Sequence, residues 1–322
     1  MRAGLVHVRQ APSTEVRDWP EFESSDFKSL AARRSASWLQ ARGRDAAGLV
    51  ALYDLTGDSA VLEEAAARFP GDPRVCMAMI GRFQSRGEKA LPWVDRLIEV
   101  EPDNAYAWYL RIWAIRSARP PQANILRAGL DAMQKASACQ VPGNKHAAER
   151  AALAREAALS AGMSPALAAR IAVGGHWDTM LDCRLGGAVN RVFEEAVKEA
   201  RAGGDAAALA QIAGMGITMA DSLRDNSMVA RRFSGELEQQ IAALATGSIM
   251  QGELAQRVAD VSAAVQARKS AAPDNLPNYS RLREMLDSAP AETVVKYAET
   301  MIWQGEYAAI VELASSFAEQ PR

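Results

Sequence analysis

The chain has 322 residues, 49% hydrophobic and 24% charged, with 37 Lys+Arg against 39 Asp+Glu. That allows two ordinary domains or one extended repeat, with ample material for a core. A formal charge of −2 argues against nucleic acid as a partner, because the basic clusters are only the dyads Arg33-Arg34 and Arg231-Arg232. Cys76, Cys139 and Cys183 are odd in number and widely spaced, so they form neither a disulfide framework nor a CxxC metal knuckle. No apolar run reaches the roughly 18 residues of a membrane span. Residues 1–16 lack the apolar stretch of a signal peptide. As written, the chain reads as cytoplasmic; export stays open if the N-terminus is truncated.

Ala, Leu, Glu, Arg and Gln dominate and period-2 strand patterns are nearly absent, which predicts an all-α fold. Residues 1–25 read as irregular, broken by Pro12 and Pro20 and anchored by Trp19 and Phe22. A first helix runs from Ser25 or Asp26 to about Gln40 and ends at Gly43. Three helical pairs follow, turning at Gly57-Asp58, Gly87-Glu88 and Pro120-Pro121. Gly57 and Gly87 lie 30 residues apart, and Pro70/Pro73 and then Pro102 close the first two pairs. A period of this size predicts stacked helical hairpins within 26–140, each burying an apolar face on its neighbours.

Residues 144–268 read as an alanine-rich helical region with no repeat. Asn144 starts a helix that Gly162 ends. Ser164-Pro165 starts another, which Gly174-Gly175 is expected to stop. A longer helical stretch reaches Arg201, with a break expected at Gly186-Gly187. Gly203-Gly204-Asp205 opens the helix carrying "GMGITM", whose Met residues read as core. Asp225-Asn226-Ser227 caps the next helix, and a last one runs from about Ser248 to Lys269. Residues 269–279 form a Pro/Asn-rich linker to the C-terminal hairpin, 280–322.

The segment "RGEKALPWVDRLIEVEPDNAYAWY" resembles a tetratricopeptide-repeat junction. Gly87 stands at the turn glycine and Ala90 at the small residue opening the second helix. Val94, Leu97 and Ile98 face the partner helix, Pro102 closes the unit, and Trp108 is the tryptophan of the next helix. Leu49, Tyr53, Leu62, Ala66 and Phe69 fall at matching places one hairpin earlier. "AETVVKYAETMIWQGEYAAIVELASSF" resembles another copy, with Gly305-Glu306-Tyr307 as its turn. The likeness covers about 45–137 and 291–319. It departs from the pattern at Pro120-Pro121 and at Arg111, where an apolar residue is usual. It implies an α-α superhelix whose first helices line a partner-binding groove.

No chemical signature competes with that reading. His176, Asp178, Asp182 and Cys183 cluster in "GGHWDTMLDC", but on a helix they point to two faces and do not converge on a metal. His7, His146 and His176 sit in no nucleophile or metalloprotease signature. Glu63-Glu64 and Glu194-Glu195 are adjacent, so their carboxylates diverge. The glycine doublets lack the strand-turn-helix setting of a phosphate cradle.

The expected function is therefore a non-catalytic protein-protein interaction or scaffold module, with no cofactor or metal. Tyr106, Tyr109, Trp113 and Arg116, at i, i+3, i+7 and i+10, are its candidate partner-binding stripe, beside the buried stripe Trp108, Ile112 and Ile115. A competing reading packs the same four residues against the N-terminal segment or the middle helices. An alternative function is an enzyme or small-ligand-binding domain in 144–268.

Overall fold

Asp and Asn side chains start several of the early helices. Asp45 accepts from the Gly48 amide (2.7 Å), Asp58 from Ala60 (2.9 Å), Asp72 from Arg74 (2.9 Å) and Asn104 from Tyr106 (3.0 Å). Each satisfies an amide that a helix start leaves unpaired. The computed structural model describes residues 25–120, 124–139, 146–176, 179–223, 228–244, 252–270, 279–304 and 306–318. Among the described residues it is all-helical, with no strand. The Trp19 and Phe22 segment, the Asn144 and Ser227 caps, the Gly305 turn and most of the 269–279 linker lie outside them.

The first seven helices are α1 (Ser25–Ala41), α2 (Ala46–Thr56), α3 (Ser59–Arg68), α4 (Pro73–Arg82), α5 (Gly87–Val100), α6 (Ala105–Ser117) and α7 (Ile125–Ser137). They pack in chain order, each on the next. Then the order breaks. α8 (His146–Ser160) returns to α1 and α2 and pairs with α9 (Pro165–His176). α10 (Thr179–Ala202) goes back to α6 and α7. On it build α11 (Ala206–Leu223), α12 (Met228–Ala242) and α13 (Gly252–Ser270). Finally α14 (Tyr279–Ser288), α15 (Ala291–Gln304) and α16 (Glu306–Ala318) close on α9, where Leu282, Met285 and Leu286 share a core with Ala169, Ala172 and Val173. The stretch 144–268 thus divides its contacts between two separate parts of the fold.

Helix α8 makes that topology hold. Its buried face is alanine: Ala151, Ala154, Ala157 and Ala158. Small residues bring neighbouring backbones close but bury little apolar area each. Charged side chains supply the direction that alanine cannot. Arg150 grips Asp54 of α2 through two bonds, 2.6 and 2.5 Å, and the Asp54 side chain is 3% exposed. Glu149 meets Arg74 of α4 at 2.9 Å, and His146 meets Glu101 after α5 at 2.7 Å. Glu156 accepts from Trp38 of α1 at 2.9 Å, and Arg155 reaches Glu299 of α15 at 2.9 Å.

One glycine expectation needs correction. Helix α9 ends at His176, directly after Gly174-Gly175, but α10 is unbroken through Gly186-Gly187. A helical glycine costs about 1 kcal/mol. Burial of Leu185, Val189, Val192 and Phe193 in α10 outweighs that cost. Gly57 is a turn glycine, at φ +67 as the C-cap of α2. Gly87 acts differently. It opens α5, and a Cβ there would lie 2.3 Å from the Ala114 carbonyl oxygen and 2.8 Å from the Ala118 nitrogen. Close approach of α5 to the end of α6 is what demands glycine.

Gly87→Ala is therefore expected to destabilise by about 2 kcal/mol or more, because backbone must shift. Gly187→Ala, with open space around it, should stabilise by up to about 1 kcal/mol. Chemical denaturation midpoints of the two variants check the contrast. Arg150→Met alone strands the Asp54 carboxylate and should cost about 3–5 kcal/mol, whereas Asp54→Leu with Arg150→Met should recover most of the loss. The same denaturation series, run as a double-mutant cycle, measures it.

Candidate functional site

The aromatic stripe of α6 lies inside the protein. Tyr106, Tyr109 and Trp113 are 3%, 0% and 1% exposed. They share a core with Ile80 of α4, Leu97 of α5, Met133 of α7 and Val192 and Phe193 of α10. Arg116 is bidentate to Glu195 of α10, 2.9 Å at each oxygen, and that contact holds the Glu195 carboxyl below the usual carboxylate range. These positions present no face to a partner, so the partner-binding expectation is corrected here to packing. The cause is α10, which returns from far along the chain to cover the stripe. Trp108 is half-buried: its indole N–H donates to the Pro102 carbonyl at 3.3 Å, and Arg111 and Lys135 lie over its ring. Arg111 also pairs with Asp95 of α5 at 3.4 Å, which accounts for a charge at a position expected to be apolar.

The other sequence candidates also resolve into structure. His146 bridges to Glu101, whose other oxygen accepts from the Asn104 side chain at 2.8 Å, so the imidazole ties α8 to the α5–α6 turn. Burial pushes the Cys76 thiol up to about 11, leaving it an inert core residue. Adjacent carboxylates diverge: Glu63 pairs with Arg82, while Glu64 pairs with Arg44 and Arg68. Hydrogen bonding from Arg44, opposed by burial and helped by Arg68, takes Glu64 to about 2. Met215 and Met219 of "GMGITM" are buried. The side chains of His176, Asp178, Asp182 and Cys183 lie outside the described residues.

The candidate site is instead a groove between α15 and α16. It encloses about 400 Å³. Tyr297 from α15 with Ala309 and Leu313 from α16 lie at its base, themselves only 2%, 0% and 2% exposed, flanked by Thr293 and Ser316. Glu292, Lys296 and Glu312 form the rim. Lys296 Nζ sits 2.5 Å from Glu312 Oε1, and the Thr300 hydroxyl donates to Glu312 Oε2 at 2.7 Å. Tyr297, Ala309 and Leu313 belong to the same core as the rest of the apolar face of α15. Val294, Ala298 and Met301 are buried in the core shared with α9, and Glu299 is held by Arg155.

One large residue stands out along this edge. Trp303 is 81% exposed, seven residues beyond Lys296 and so on nearly the same face of α15. The sequence signal for it was present: Trp303 falls outside the apolar face Val294, Tyr297, Ala298 and Met301 within the predicted C-terminal copy. An apolar pocket bordered by a few placed polar groups is a binding geometry.

The Lys296 ammonium, then the Thr300 hydroxyl, hold the Glu312 carboxyl below the usual carboxylate range. A depressed folded value means the tie is fully present above the ordinary value of about 4.3 and is lost as pH falls through the lowered one. The Glu312 side-chain carboxyl, followed by NMR, should titrate below the ordinary range, and Lys296→Ala should return it upward. An unshifted Glu312 in the wild type would contradict the tie.

No family model matches the chain, and neither does any curated protein or solved structure among those compared. Among the described residues, no helix is long and apolar enough to cross a membrane.

Proposed function

We propose that this chain is a non-catalytic protein-binding module, built from tetratricopeptide-like hairpins stacked as an α-α superhelix at its start and end. Support for the repeat reading comes from α1 to α7 packing in chain order and from the Gly57 turn. The observation that carries the function is Trp303. An exposed indole beside an apolar groove with a charged rim is the composition of an interface anchor. The module would take a segment of a partner protein along the α15–α16 groove and against the exposed Trp303 ring. The alternative, an enzyme or small-ligand domain in 144–268, has less behind it, because that stretch divides its contacts between two parts of the fold.

A photo-crosslinking amino acid placed at position 303 tests the reading. In lysate of the source cells it should yield a discrete polypeptide adduct. The same probe at the exposed position 256 of α13 should not. No adduct from position 303, or equal adducts from both positions, would count against the module.

A further inference from the structure

We infer that one flank of α5 is a second interaction surface, separate from the α15–α16 groove, and that it takes an acidic, apolar-bearing segment of a partner protein. Helical geometry lines the surface up. Arg86, which caps α5, is followed by Lys89, Trp93, Arg96 and Val100 at i+3, i+7, i+10 and i+14, one continuous stripe. Arg86, Lys89 and Arg96 are exposed, and Val100 is 42% exposed. Trp93 is half-buried against the core of the first helices. Helix α5 buries a different stripe, Gly87, Ala90, Val94 and Leu97, and packs on α4 and α6.

Charge and aromatic character together select the occupant. Two of the cations lie over aromatic rings, Lys89 over Phe83 at 6.0 Å and Arg96 over Trp93 at 5.8 Å. A ring restrains such a cation, while its outward N–H groups can still donate to a carboxylate. The carboxylates of α5 run along another stripe, Glu88, Asp95 and Glu99 at i, i+7 and i+11. Asp95 is paired there with Arg111 of α6 at 3.4 Å. The flank thus presents three positive charges interleaved with an indole and an isopropyl group, over about 21 Å of helix. Opposite charge steers and registers a partner, and Trp and Arg are the common anchors of an interface. A segment with Asp or Glu facing Arg86, Lys89 and Arg96, and apolar side chains facing Trp93 and Val100, matches every position of the stripe. A basic segment is repelled by it, and a purely acidic one leaves its apolar positions uncovered.

The test uses the full-length chain and fluorescence anisotropy with three labelled probes, each about 15 residues or nucleotides long. They are a helix-patterned peptide of Glu, Leu and Phe, the same peptide with Lys for Glu, and a single-stranded DNA. The acidic peptide should bind, and more weakly as salt rises. The Lys peptide should not bind. Lys89→Glu with Arg96→Glu should weaken the acidic peptide by about tenfold or more. Val100→Ser should weaken it as well. Arg127→Glu, which reverses an exposed charge on α7, should leave it unchanged. All four positions are exposed, so unchanged melting curves will show that the variants fold. No binding of the acidic peptide, equal loss in the Arg127 variant, indifference to Val100→Ser, or tighter binding of the DNA would each overturn the inference. Residues 15–23 of this chain carry Glu15, Asp18, Glu21 and Glu23 around Trp19 and Phe22. A peptide that binds only after Glu21→Lys with Glu23→Lys would therefore assign the stripe to that segment and overturn the partner as well. None of these outcomes bears on Trp303, whose crosslinking tests the groove by itself.

Discussion

The ion pair between Arg150 and Asp54 is the constraint on which the topology depends. Asp54 is a carboxylate removed from water, and a lone buried charge of that kind would cost several kcal/mol. Arg150 offsets the cost only in one placement of α8 on α2, because two bonds at 2.5 and 2.6 Å fix both distance and angle. The alanine face of α8 permits that placement without specifying it. Burial of methyl groups is non-directional, so four alanines could slide by a turn at little loss. The surrounding contacts to Glu101, Arg74, Trp38 and Glu299 then act from four other elements and remove the remaining freedom.

From α8 the rest follows outward. Its placement seats α9, and α9 with Arg155 seats α15. The apolar face of the terminal hairpin is thereby consumed, while Trp303 stays exposed. The two ends of the fold treat aromatic residues in opposite ways. On α6 the aromatic stripe is sealed by α10, with Arg116 and Glu195 clasping the edge. On α15 no described helix covers Trp303. The difference between a core aromatic and an anchor aromatic lies in what returns to pack on it, and the helices themselves are much alike.

Much of the local architecture was legible from residue order. Gly57 at the end of α2, Gly162 after α8 and Ser164-Pro165 at the start of α9 each signal a boundary through backbone chemistry that acts within a few residues. The doublet Gly186-Gly187 misled for the complementary reason. A glycine penalty is local, but the burial that outweighs it in α10 comes from helices distant in sequence. Gly87 was correctly singled out for the wrong cause: its backbone torsion is ordinary, and its restriction is the carbonyl of Ala114. The α15–α16 groove was not foreseen.

Residue order alone was enough for the helical class and for boundaries such as Gly57 and Ser164-Pro165, because these rest on propensity and caps within about four residues. Tertiary structure decided which apolar sides meet. An alanine-rich helix such as α8 carries a weak pattern and fits many neighbours. Only the long-range pairs, Arg150 with Asp54 and Arg116 with Glu195, choose among them. Such pairs join residues 96 and 79 positions apart. Nothing local to either residue marks the other, and that is why the stripe of α6 became core while Trp303 was left on the surface.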